Sequence, residues 1–155
     1  MAEDDVDFAV AAYHDDGRWH LAELHPTIGE DLEELREALG RFPSDVGVLG
    51  LVSMRDDFFV IVRRSGTQVR AMLSDVTAVD DWPIAGAVVE LLDVVDLGDD
   101  DDPLAIGDLA LLSDLGMSAA DLSVLCEDGE LYPEDILMDV ADRLGFGTQL
   151  GAIIG

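Results

Sequence analysis

Apolar and polar positions alternate with a period of two over the first part of the chain. Residues 8–14 and 19–24 read as strands, and Asp16-Gly17 between them is a hairpin signal. With Asp15 paired to Arg18, the side chains of Phe8, Val10, Ala12, His14, Trp19 and Leu21 share one face. The period then lengthens. Leu32, Leu35 and Leu39 recur at helical spacing across 31–39, with Thr27 or Asp31 placed to cap the helix and Gly40 and Pro43 to end it. Residues 46–54 are apolar on both sides, with Val46, Val48 and Val52 on one and Leu49 and Leu51 on the other. That pattern predicts a strand covered on both faces, inside a sheet rather than at its edge. Strands over 58–64 and 67–73 follow, joined by a turn at Ser65-Gly66. In that register Arg63 pairs with Gln68 and Arg70 lies opposite Ile61, so Arg63 and Arg70 share a face and Arg64 takes the other. Asp81 and Pro83 then suit a helix start, with Ile84, Val88, Leu91 and Leu92 along one side.

The stretch 96–102 breaks the pattern with Gly98 and four consecutive aspartates, Asp99, Asp100, Asp101 and Asp102, before Pro103. Such a run reads as a solvated linker. Beyond it three short helices are predicted: 104–115 stopped by Gly116, 118–126 opened by Ser118 with Asp121 in a capping-box pattern, and 133–144 stopped by Gly145. The expected fold class is α+β, in the order β-β-α-β-β-β-α, with a five-stranded antiparallel sheet and a short all-helical C-terminal tail. The expected division is a sheet domain over 6–95, an acidic linker over 96–102 and a helical segment over 103–155. The element order resembles the roadblock and longin class of small interaction domains, a likeness of fold that assigns no function.

Charge changes the picture most. The chain has 35 acidic residues and 8 basic ones, all arginine, for a net charge of −27 over 155 residues. Residues 1–70 hold 15 acids and 7 arginines, or −8; residues 71–155 hold 20 acids and Arg143 alone, or −19. Disorder accompanies such charge when hydrophobicity is low, but 49% of these residues are apolar, enough for a packed core. The surface repels nucleic acid and anionic membranes and attracts basic proteins. A salt-adapted or high-GC source would also enrich acids and replace lysine by arginine, so the acidity has two open explanations. No apolar run reaches the 18 or so residues of a membrane span, and the Met-Ala-Glu-Asp-Asp start has no signal-peptide character. A cytoplasmic location is expected.

Catalytic patterns are missing: no nucleophile elbow, Walker loop, dinucleotide fingerprint, C-x-x-C or H-E-x-x-H occurs. The single cysteine, Cys126, lies in an apolar helical run and reads as a packed thiol. His14 and His20 fall on opposite faces of the first hairpin, so His14, His20 and His25 offer no converging metal ligands. The aspartate run lacks the ligand spacing of a calcium loop. The sequence therefore predicts neither catalytic residues, cofactor nor metal. The arginines at 63, 64 and 70 are too few to hold RNA against the background charge and are expected to pair with the chain's own carboxylates.

The segments Phe58-Phe59-Val60-Ile61-Val62-Arg63 and Arg70-Ala71-Met72-Leu73-Ser74-Asp75-Val76-Thr77-Ala78, with Trp82, resemble the actinobacterial tRNA adenosine deaminase-associated proteins. So do Gly107-Asp108-Leu109-Ala110-Leu111-Leu112-Ser113-Asp114-Leu115-Gly116, Tyr132-Pro133-Glu134-Asp135-Ile136-Leu137 and Arg143-Leu144-Gly145-Phe146. The resemblance covers nearly the whole chain and includes no catalytic signature. It implies association with the deaminase that makes inosine in tRNA. The chain is not that enzyme, whose zinc site needs an H-x-E…P-C-x-x-C pattern that one cysteine cannot supply. Two functions are expected. The first is a non-enzymatic acidic accessory protein in tRNA modification, binding a basic partner through Asp99, Asp100, Asp101 and Asp102 and an apolar anchor among Trp82, Tyr132 and Phe146. Core packing is the alternative role for each of those aromatics. The second is a roadblock- or longin-like regulatory or sensing domain acting as a homodimer, its acidity incidental.

Overall fold

The computed structural model describes residues 6–15, 17–25, 28, 31–42, 47–54, 58–65, 68–74, 84, 86–88, 106–107, 109–127 and 132–154. Strands β1 (Val6–Asp15) and β2 (Arg18–Glu23) form the predicted hairpin, with Asp15 opposite Arg18 and Gly17 at φ 77° in the turn. Helix α1 (Leu32–Leu39) follows. The Asp31 carboxylate caps it, accepting from the backbone N–H groups of Glu33 at 2.9 Å and Glu34 at 3.4 Å. Then come β3 (Val48–Met54), β4 (Phe58–Ser65) and β5 (Gln68–Leu73). All pairings are antiparallel and the spatial order is β2-β1-β3-β4-β5-β6. Because β2 and β3 both run antiparallel to β1, they are parallel to each other, and α1 lies in the crossover that such a connection needs.

The sixth strand corrects one expectation. The sequence predicts helix over 104–115. Instead β6 (Ile106–Gly107) pairs with Leu73 and Met72 of β5, and a 3₁₀ helix occupies Leu109–Leu115. The open edge of β5 offers ladder hydrogen bonds to Ile106 and Gly107 that a continuous helix could not accept. The tail continues as α2 (Ala119–Glu127), α3 (Pro133–Leu144) and α4 (Gly147–Ile154). The Ser118 hydroxyl accepts from Asp121 N–H at 3.2 Å, and Gly145 ends α3 at φ 111°. Helix α4 is additional to the three predicted helices.

The sheet is covered on both faces, as the two-sided apolar pattern of β3 requires. Ala9, Ala11, Val48, Val52, Val60, Val62 and Leu73 pack under Leu32, Leu35 and Leu39 of α1, with Ile84 and Val88 from a further helical stretch. Gly50 allows this close approach: a Cβ there would stand 3.2 Å from methyls of Leu35 and Leu39. On the other face Phe8, Val10, Ala12, Leu49, Leu51, Phe59, Ile61 and Met72 share a core with the tail, through Leu111, Leu122, Ile136, Val140 and Phe146. Every residue of β3 is buried. The tail therefore forms the third layer of a helix–sheet–helix arrangement.

Candidate functional site

The basic cluster on β4 and β5 is where sheet and tail meet. The register differs from the predicted one: Ser65 lies opposite Gln68, and Arg63 opposite Arg70. Relative to the predicted pairing the register is shifted by two residues. The shared face of Arg63 and Arg70 is preserved, because the shift keeps the alternation. Two guanidinium groups directly opposite each other would repel. Asp114 of the 3₁₀ helix relieves this: Arg63 donates to both of its carboxylate oxygens, at 2.6 and 2.9 Å, and to the Leu111 carbonyl at 2.7 Å. The Arg63 side chain is only 6% exposed, so its charge is met within the fold. Hydrogen bonding from Arg63 holds the Asp114 carboxyl below its ordinary pKa, opposed by partial burial and helped by the charges of Arg63 and Arg70.

Arg64 does the corresponding task on the opposite face. It donates to the Arg36 carbonyl at 2.6 Å, in the last turn of α1, where a cation also meets the negative end of the helix dipole. Arg63 thus pairs with one of the chain's own carboxylates, as expected, and Arg64 meets a backbone carbonyl.

The aromatic candidates separate by position. Phe146 is fully buried, its ring 4.9 Å from that of Trp19 in the tail-side core. It is a packing residue, which corrects its candidacy as a surface anchor. The αL turn at Gly145 directs the chain inward there, and Phe146 N–H donates to the Ala141 carbonyl at 2.8 Å. Tyr132 is 61% exposed at the start of α3, with its N–H donating to the Asp135 carboxylate at 3.2 Å. Trp82 and Asp99, Asp100, Asp101 and Asp102 lie outside the described residues. Val124 is 64% exposed on α2, a position its apolar run does not signal in the sequence.

His14 and His20 lie on opposite faces as expected. His14 meets Trp19 edge-on at 5.4 Å, whereas His20 stacks on Tyr13 at 5.3 Å, and Tyr13 in turn stacks on Phe42. Cys126 is half-buried against the tail-side core. Among the described residues no three His, Cys, Asp or Glu side chains group as metal ligands, and no helix is long and apolar enough to cross a membrane.

These features define a class, a strongly acidic three-layer α+β protein whose most buried cation among the described residues is spent on joining its layers. The family model for the Rv3753c-like tRNA adenosine deaminase-associated protein matches residues 7–147. The chain is also similar to Protein Rv3753c of Mycobacterium tuberculosis (strain ATCC 25618 / H37Rv), at 39% identity over 150 residues, covering 95% of this chain and 87% of that relative. It belongs to the tRNA adenosine deaminase-associated family, as its motifs indicate. No solved structure matches it.

Proposed function

We propose that this is a non-enzymatic accessory protein in tRNA modification, whose acidic surface docks on a basic surface of tRNA adenosine deaminase in the cytoplasm. The observation that carries the reading is a net charge of −27 in a member of a family described by its association with that enzyme. An enzyme acting on tRNA must present cations to the phosphate backbone. An acidic companion can occupy that face, either as a regulator or as a mimic of the RNA. Charge complementarity speeds encounter more than it tightens the complex, so an apolar anchor belongs to the same surface. Tyr132 is the exposed candidate.

The acidic stretch over 96–102, between the segments 6–95 and 103–155, has a steering role on this reading. Replacing Asp99, Asp100, Asp101 and Asp102 by asparagine is expected to slow association with immobilised deaminase while leaving dissociation nearly unchanged. Unchanged association would make that stretch a spacer alone. If the deaminase does not bind the protein at all, the homodimeric sensing function takes its place, and sedimentation then has to show a dimer.

A further inference from the structure

Val124 and Tyr132 are, among the described residues, the large apolar side chains left on the surface. They belong to one helical hairpin. The Arg143–Asp121 ion pair, at 3.3 Å, fixes the first turn of α2 beside the last turn of α3. The five residues between Glu127 and Pro133 join the helices at the opposite end, so α2 and α3 run antiparallel. Val124, nearly one turn beyond Asp121, and Tyr132 both lie toward that joined end. Acids neighbour them along the two helices: Asp121, three residues before Val124, and Glu134 and Asp135, just after Tyr132, are exposed, and Asp139 is half-exposed. From Asp114 to Asp142 the sequence holds nine acids and no base. Arg143, the nearest cation in sequence, is already occupied by Asp121 and by Asp139 at 3.6 Å.

We propose that the outer side of the α2–α3 hairpin is the docking surface for a cationic, amphipathic protein segment. Its apolar side chains would cover Val124 and Tyr132, and its lysines or arginines would meet the acidic rim. The inference deepens the proposed function and rests on its premise that the partner is a basic protein. The charge decides the occupant. An apolar spot alone would accept many surfaces, but an all-acidic rim repels another acidic surface, a second copy of this hairpin included. Apolar anchors in such a rim supply the affinity that charge alone does not.

The test uses the full chain, isotope-labelled, and two probes: purified tRNA adenosine deaminase and a synthetic leucine/lysine amphipathic peptide. Tyr132→Ser and Val124→Ser are compared with the native protein, with thermal melts to verify folding; both side chains are exposed, so both variants are expected to fold. The expected result is peptide-induced amide shifts concentrated in 119–139 and affinity for either probe reduced about tenfold or more in the double variant. Shifts centred elsewhere, or unchanged peptide affinity in the variant, would overturn the proposal. If the deaminase binds native and variant proteins equally, the docking surface is wrong and the partnership stands. If the deaminase fails to bind while the peptide maps to the hairpin, the partnership is wrong and the docking surface stands.

Discussion

Arg63 and Arg64 are neighbours in sequence and serve opposite faces of one strand, each holding a different helical layer to the sheet. Arg63 is the more costly to disturb, because its guanidinium is buried and Asp114 supplies the compensating charge. Asp114 is itself 59% exposed, so solvent screens the pair and the full cost of a buried ion pair does not apply. Asp114→Asn is expected to lower stability by about 1 kcal/mol in denaturant titration. The pH dependence has a definite sign. Arg63 lowers the folded-state pKa of Asp114 below the ordinary value of 3.8, so folding disfavours its protonation. The stabilisation is complete above the unfolded value and is lost as pH falls through the folded one. The Tm difference between native protein and variant should therefore hold steady above about pH 5 and close as pH falls below roughly 4. Comparing the two removes the effect of the other carboxylates, whose protonation relieves repulsion in both. A second residue-scale prediction concerns Gly47, at φ +95° with the Ser65 hydroxyl and the Arg64 carbonyl against the place of a Cβ. Gly47→Ala should cost about 1–3 kcal/mol, read from the same titration.

At the scale of elements, the turn after α3 carries a test of assignment. Phe146→Ala should cost about 3–5 kcal/mol of stability by opening the core between α3, α4 and β2. A variant that kept native stability would contradict the core position of Phe146. Its aromatic character did not distinguish it from Tyr132 in the sequence. Both flank α3, and only the cap and turn geometry aims one ring outward and the other inward. The strands were easier to read because alternation assigns each residue to a face whatever the register. That is why β3 and the faces of Arg63, Arg64 and Arg70 were legible while the exact β4–β5 pairing was not. Residues 104–115 misled because leucine-rich spacing suits a helix equally well in isolation, and the free edge of β5 decided otherwise. Helix α4 was hidden by Gly147 and Gly151, weak helix formers held in place by packing of Leu150 and Ile153. The Arg63–Asp114 pair spans 51 residues, and nothing local in the sequence announces it.

For the whole molecule, a charge of −27 makes self-repulsion a constant opponent of the compact state. Added salt should therefore raise Tm, although it weakens the individual ion pairs, because like charges far outnumber opposite ones. The same charge predicts no micromolar tRNA binding by the protein alone at physiological salt in a gel shift. What it favours is a cationic protein surface, and the central claim is a direct complex with tRNA adenosine deaminase. Titration calorimetry of the two purified proteins tests it. The prediction is a saturable complex at about 0.1 M salt that weakens markedly toward 1 M, as the Debye length falls from about 10 Å to about 3 Å. No heat of association and no co-elution even at low salt would contradict the account.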